Sequence, residues 1–589
     1  MTPALAVNAI DLEVVKASLR GIVQEMQNAL FRTGFSTIIR ESQDASCVLM
    51  NHNGEVVAQH VVLPLHIGAF PACCAAVIKT FGDTIAEGDA FLINHPYHGG
   101  SPHAPDVAVI TPVFVDGTLF GFCGSIAHKS DIGGPVPGSC SGQAGEIFNE
   151  GLQIPAVRYQ TRHLPNGDIE RIIAANSRTP ELVLGDIRGQ LGADRLGERR
   201  LIALVRKHSA AKIRACYDRL FELARSRVKL SVASWKDGRF EAERFVDDDG
   251  IDLERPVRIH VAVDKHGDSL HFDFTASADQ TKGPANIRPP LVQAACAYCV
   301  ISLIDPHIYV CSGLLQGFTV AVREGSVLNP CFPAPVNTYN PTVHALVDAI
   351  FAALSHVAPD KARADGSGSR SIILGGRNTH TGRNYVQYEI VAGGAGARAG
   401  KDGASGITVN QSNARIAPVE IVESEFPTRL LRFDLIADSG GAGRHRGGLG
   451  LRREYLNLED ARFSIRSMKH VIPPNGCAGG RDGRTGDIVI NPDRESAKRL
   501  PTRYADYPLS QGDVFRLDTP GGGGFDDPFE RNPESVLADV REGYVTRAAA
   551  EKHYGVVVVE TECGLAIDAA ATVRKRSQRI TESPGSGGE

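Results

Sequence analysis

A basic surplus is missing from this chain. Lys and Arg number 63 against 68 Asp and Glu, a net charge of −5, so no excess cation is present to neutralise nucleic-acid phosphates. No uninterrupted apolar run approaches the roughly 18 residues that a bilayer-spanning helix needs. The opening Met-Thr-Pro-Ala-Leu-Ala-Val-Asn has neither a basic segment nor a long apolar one, so no secretory leader is expected. Cysteine is sparse, 12 in 589 residues, and Cys73, Cys74, Cys123 and Cys216 sit in apolar runs, which reads as reduced, buried thiols in a cytoplasmic protein. One Cys-x-x-Cys, Cys296 to Cys299, has no second pair to complete a four-ligand zinc site and reads as part of a core helix. Phosphate-cradling loops are lacking too. The nearest approach to Gly-x-x-x-x-Gly-Lys-Ser/Thr, Ala395 to Asp402, fails at its first and last positions, and Gly394, Gly396 and Gly400 precede no clear helix. If the chemistry uses a nucleotide, another chain binds it.

What is present in excess is glycine, 62 residues, of which 27 fall between Gly366 and Gly524. Such clustering marks backbone that turns sharply or is closely approached. Hydrophobic residues at 42% and charged residues at 22% are those of a folded globular chain, and the length suggests about four domains. Helical spacing covers residues 10–34, 72–81, 193–228, 291–304 and 342–356. Hairpins are expected around Asn53-Gly54, Asp116-Gly117 and Lys265 to Asp268. The fold class is therefore α+β and β-rich: a large mixed multi-domain chain with antiparallel hairpins and a few long helices. Four regions are expected: 1–240 carrying the candidate site, 241–365, a glycine-rich, β-rich 366–575, and a polar, flexible tail from 576 to 589.

Histidine carries the chemistry. Seven of the 19 lie between His52 and His128. A two-residue turn at Asp116-Gly117 makes Val107–Val115 and Thr118–Ile126 a hairpin in which His128 faces residue 105 and Ser130 faces His103. His103, Asp106 and His128 then converge at its open end, where opposed Cβ atoms are roughly 4.5–5.5 Å apart. Two imidazoles and a carboxylate suit Zn, Mn or Fe(II) better than Ca or Mg. A divalent ion there would lower the pKa of a coordinated water toward about 7. Asp131 and Glu146 follow the hairpin closely and are candidates for taking the water's proton or orienting an imidazole. His95 and His98, flanking Tyr97, are outer-layer or surface groups.

These segments resemble the hydantoinase B/oxoprolinase family, and the resemblance covers nearly the whole chain. Glu41-Ser42-Gln43-Asp44-Ala45-Ser46 is similar to the family's E-S-x-D-x-S, Asn94 to Asp106 to its N-D-P-Y-x-G-G-T-H-x-P-D, and Ala127 to Gly134 to its A-H-x-x-D-I-G-G. Asp438 to Gly450 and Asp518 to Gly524 resemble two further signatures. His95 replaces the usual Asp, and Pro102 stands as a one-residue insertion before His103. The resemblance implies a divalent transition metal on His103, Asp106 and His128, with Asp44 as a fourth ligand. It also implies a hydantoinase A-type partner that binds ATP and Mg, in a heterotetramer or larger assembly. The expected activity is ATP-dependent opening of a small cyclic amide (a hydantoin, 5-oxoproline or a lactam) in the cytoplasm. Two alternatives stand beside it: a subunit of an acetone carboxylase-like ketone carboxylase, and a structural subunit whose metal is only a staple. The glycine signatures are expected as loops meeting the metal region or the ATP-binding partner.

Overall fold

Leu12, Val15, Leu19, Ile22, Val23, Met26 and Leu30 recur at helical spacing and are all buried on one side of the helix Ala9–Thr33, which Asn8 caps by accepting from the Asp11 N–H. In this computed structural model, which describes residues 7–60, 63–368, 370–410 and 412–582, that helix lies against the long helix Pro180–His208 over a seven-stranded sheet. Its strands are β1 (Ala45–Asn51), β2 (Val56–Gln59), β3 (Ala90–Ile93), β4 (Asp106–Val115), β5 (Thr118–His128), β6 (Val157–Thr161) and β7 (Leu164–Pro165), in the order β2-β1-β5-β4-β3-β6-β7. All neighbouring pairs are antiparallel. Cys47, Leu49, Cys123 and Ala127 face the two long helices, while Val48, Met50, Ala108, Ile110 and Ile126 face the helix His66–Phe81. Covered on both faces, β1, β4 and β5 read as continuous apolar runs.

The expected hairpin is present with a refinement. Asp116 and Gly117 both have positive φ, 49° and 75°, as a two-residue hairpin turn requires. Val115 pairs with Thr118 and Phe114 with Leu119, but Phe120 then bulges out, and from Val113↔Gly121 onward the register has moved by one. Asp106, rather than residue 105, therefore faces His128.

Two expected elements are corrected. The single helix over 193–228 is two, Pro180–His208 and Ala210–Ala233, broken at Ser209, whose φ is 71° and whose hydroxyl caps the second helix. The weakly patterned stretch after Ser231 contains a strand, Gly238–Val246, antiparallel to Val257–His266. That pair joins Ser269–Asp273 and Thr319–Ala321 in a four-stranded sheet, over which Asn340–Val357 packs, with Pro289–Ile304 against that helix. Cys296 and Cys299 are fully buried free thiols in Pro289–Ile304.

Beyond residue 366 two antiparallel sheets share a core of Ile372, Leu374, Tyr455, Phe463, Ile465, Phe515 and Leu517. The glycines beside it pack against one another within the chain. The Gly393–Gly396, Gly440–Gly450, Gly476–Gly483 and Gly521–Gly524 segments lie backbone against backbone. A Cβ on Gly394, Gly448 or Gly522 would fall 1.9–2.0 Å from a neighbouring carbonyl oxygen. Gly448 N–H donates to Ala395 O (2.8 Å), Gly522 N–H to Gly448 O (2.9 Å) and Gly441 N–H to Gly522 O (2.8 Å). At these contacts the glycines form a hydrogen-bonded, backbone-to-backbone stack with no room for a side chain, whereas Gly382, Gly400 and Gly512 meet nothing within 4 Å. The expected tail begins inside a helix, Ala569–Glu582, and its last residues, 583–589, lie outside the described residues. The whole is α+β, as the residue patterns indicate.

Candidate functional site

Three neighbouring strands end together at the candidate site. Asp106 opens β4 opposite His128, which closes β5, and the His128 N–H donates to the Asp44 carbonyl just ahead of β1 (3.1 Å). His103 arrives from a tight turn in which the Asp106 N–H donates to His103 O (3.0 Å) and the Ser101 hydroxyl donates to Asp106 O. Asn94 anchors this loop by donating to the Ala104 (2.7 Å) and Leu152 (2.9 Å) carbonyls. One donor atom from each of His103, Asp106 and His128 lies within 4.8 Å of the others, and all three residues are buried. His103 Nε2 stands 3.3 Å from Asp106 Oδ2, and the two imidazole centroids are 5.2 Å apart. Half-buried Asp44 stands beside this trio.

The electrostatics are those of a crowded, buried cluster. Burial pushes the Asp44 carboxyl up to about 6, Asp106 adding to it while His128, His103 and Arg466 oppose. Burial alone would lower His103, but the Asp106 carboxylate beside it raises the imidazole to about 10. Asp106 is itself held well below the usual carboxylate range: its burial acts upward and is outweighed by His103. His103 Nε2 and both nitrogens of His128 meet no hydrogen-bond partner among the described residues. An unsatisfied buried polar atom costs about 1–3 kcal/mol. Two imidazole nitrogens and a carboxylate oxygen at this spacing are the donor set of a Zn, Mn or Fe(II) ion, so the residues present fit a divalent transition metal.

A surrounding layer was not legible in the residue pattern. His103 Nδ1 donates to Asn337, to its backbone oxygen at 2.9 Å and its Oδ1 at 2.7 Å. Glu150 Oε1 accepts the N–H groups of Val336 and Asn337, both at 2.7 Å. Tyr339 stands edge-on to His103, with its hydroxyl 3.5 Å from Asp106 Oδ2, and the Tyr388 ring lies 4.6 Å from that of His128. The buried Arg466 guanidinium donates to the Tyr388 hydroxyl and to Asn337 O. A third imidazole, His66, opens the helix over this face. Its Nδ1 lies 2.9 Å from Ser46 Oγ, its Nε2 has no partner among the described residues, and burial pushes it down to about 4. No motif in the sequence marked these residues, since their contacts to the cluster span long stretches of chain.

Neither of the two carboxylates expected to handle a proton belongs to the group of three donor atoms. Asp131 is buried, and its oxygens accept from Gly133 N–H (3.1 Å), Gly138 N–H (3.0 Å), Arg178 N–H (2.8 Å) and Arg178 Nη1 (3.0 Å). Four hydrogen bonds fill a carboxylate's lone pairs, so Asp131 organises its loop. Glu146 is exposed ahead of the one-turn helix Ile147–Glu150. His95 Nδ1 accepts the Tyr97 and His98 N–H groups, and both histidines lie against Phe332, outside the trio.

The family model described as hydantoinase B/oxoprolinase matches residues 8–528. The chain belongs to the hydantoinase B/oxoprolinase family. Within it, the putative D-/L-hydantoinase B subunit of Pseudomonas sp. (strain NS671) is 32% identical over 576 residues, covering 94% of this chain and 96% of that one. The ATP-dependent caprolactamase crystal structure from Pseudomonas jessenii superposes with a TM-score of 0.89 at 28% identity, over 97% of this chain and 100% of that one. A nucleotide-free acetone carboxylase gives the same TM-score, 0.89, at 20% identity over 97% of this chain and 83% of that one, a likeness of fold alone. Among the described residues no helix is long and apolar enough to cross a membrane.

Proposed function

We propose that this hydantoinase B/oxoprolinase-family chain is the metal-holding subunit of an ATP-dependent cyclic-amide hydrolase, acting on a ring that a hydantoinase A-type partner has phosphorylated. One observation carries the reading: three buried donor atoms within 4.8 Å of one another, two of them on imidazoles with unpartnered nitrogens. The relatives named as hydantoinase and caprolactamase subunits support the reaction class. The absence of a phosphate-loop motif from this sequence supports a partner that supplies ATP. Caprolactamase matches along its full length whereas the acetone carboxylase chain is longer, which favours amide hydrolysis over ketone carboxylation.

A cyclic amide resists attack because resonance stabilises it and its nitrogen leaves poorly. Phosphorylation of the amide oxygen on the partner makes the carbon electrophilic. His103, Asp106 and His128 would hold the ion, with Asp44 as the fourth donor, and the ion would supply Lewis-acid polarisation and a lowered pKa for water. The chain's own residues do the rest. Asn337 holds the His103 Nδ1 proton, Tyr339 and Tyr388 exclude bulk water from the two imidazoles, and buried His66 adds an imidazole whose Nε2 has no partner among the described residues.

The test is to purify the chain with its partner and measure ATP-coupled opening of hydantoins, 5-oxoproline and lactams, with ketones plus bicarbonate as the competing panel. His128→Ala is expected to give a folded, assembled, inactive complex. Loss of folding on that substitution would select the structural staple, and bicarbonate-dependent turnover without ring opening would select the carboxylase.

A further inference from the structure

A neutral imidazole has one N–H and one lone pair, and what the N–H meets decides which nitrogen is free to ligate. At His103 the N–H side is closed. Both groups of Asn337 that meet Nδ1, the backbone oxygen at 2.9 Å and Oδ1 at 2.7 Å, only accept. The amide orientation is itself set, because Asn337 Nδ2 donates to Ser139 O. Nδ1 therefore keeps its proton, and Nε2, which stands 3.3 Å from Asp106 Oδ2, is the nitrogen left to ligate.

Asn337 is in turn held from a distant part of the chain. Glu150, fully buried, takes the N–H groups of Val336 and Asn337 on one oxygen, both at 2.7 Å. The one-turn helix that carries it is tied to the same segment by Ile147 N–H to Pro333 O (2.9 Å). On the outer side the rings of Phe148 and Phe332 meet at 5.6 Å. Two segments nearly two hundred residues apart in sequence are thus stitched inside and outside, and the inner stitch ends on the imidazole.

We propose that Glu150 and Asn337 form a clamp that fixes His103 as an Nε2 metal donor, so that both are positioning residues for the centre. The inference rests on the metal-holding reading above and deepens it. Groups that hydrogen-bond a ligating imidazole typically change metal affinity by about 10–100-fold when removed.

The test uses the full-length chain, stripped of metal and titrated with Zn²⁺ against a chromophoric chelator, with Co²⁺ as a spectroscopic probe of the ligand field. Glu150→Ala frees the whole segment and is expected to weaken Zn²⁺ binding about 10–100-fold and alter the Co²⁺ visible bands. Asn337→Ala leaves the backbone acceptor in place and is expected to cost about 10-fold. Glu150→Gln keeps an acceptor oxygen and is expected to hold affinity within about threefold of wild type. Circular dichroism establishes that each variant is folded, and if Glu150→Ala fails to fold, Asn337→Ala and Asn337→Ser carry the test. Folded Asn337 and Glu150→Ala variants with wild-type affinity and an unchanged Co²⁺ spectrum would overturn the clamp while leaving the metal site standing. A wild-type chain that takes up neither Zn²⁺ nor Co²⁺ would overturn the metal site and the clamp with it.

Discussion

Replacing Gly522 by alanine is expected to break the glycine stack. The added Cβ would lie 1.9 Å from Ala395 O, 2.2 Å from Ala395 C and 2.6 Å from Gly396 N. Carbon contacts are comfortable only at about 3.5–4.0 Å, so the segments must part by more than an ångström. All three neighbours are backbone atoms, and none can rotate away as a side chain would. Parting the segments also strains the Gly522 N–H bond to Gly448 O (2.9 Å) and the Gly441 N–H bond to Gly522 O (2.8 Å). Overpacking of this kind costs about 1–3 kcal/mol, and two backbone hydrogen bonds add about 1 kcal/mol each, so a loss of about 4 kcal/mol is expected. A multi-domain chain does not unfold in one step, so the assay is hydrogen exchange read on peptides spanning 393–406, 440–450 and 521–525. All three are expected to lose protection together in the variant. Gly192→Ala, in the helix Pro180–His208 with nothing within 4 Å of the added carbon, is the contrast and is expected to stabilise by about 1 kcal/mol. Wild-type protection in a folded Gly522→Ala chain would refute the close-packed stack.

Lys469 Nζ is buried and donates to Asp348 Oδ2 (2.7 Å) and Gly366 O (2.8 Å). Lys469→Ala strands the carboxylate at a cost of about 3–5 kcal/mol, expected as lost hydrogen-exchange protection in the peptides that carry Asp348 and Gly366. Burial pushes the Glu150 carboxyl up to about 8 from its ordinary 4.5. Its favourable contribution is therefore complete below pH 4.5 and is lost as pH rises through 8. Hydrogen exchange in the 333–339 peptide from pH 5 to 9, corrected for the intrinsic rate, should show wild type losing protection relative to Glu150→Gln up to about pH 8, then running parallel. A constant difference would refute the assigned burial. Asp131→Ala should loosen 131–138 and lower stability while leaving the shape of the pH–rate profile unchanged, because the carboxylate supports the loop. A lost limb of that profile would return Asp131 to the chemistry.

What the residues revealed follows their range of action. The β4–β5 hairpin was legible because its turn chemistry is local: Asp116-Gly117 supplies both positive φ angles. The place of the bulge, Phe120, was not, since that residue is neither Gly nor Pro. Asp44 came only through motif resemblance, as nothing in its spacing points across two strands to Asp106. Asn337 lies 234 residues from His103, and Glu150 reads as an ordinary turn acid, so neither announces itself. The glycine clusters were visible as composition, but their use is tertiary: a missing Cβ has meaning only once another backbone stands 2 Å from where it would be.

Metal content decides whether His103, Asp106 and His128 form a metal centre. Elemental analysis of the purified, unchelated chain is expected to find about one equivalent of Zn, Mn or Fe per chain. That metal should be lost in folded His103→Ala, Asp106→Ala and His128→Ala variants. A wild-type chain that carries no transition metal, and acquires none when incubated with these ions, would contradict the metal-holding role.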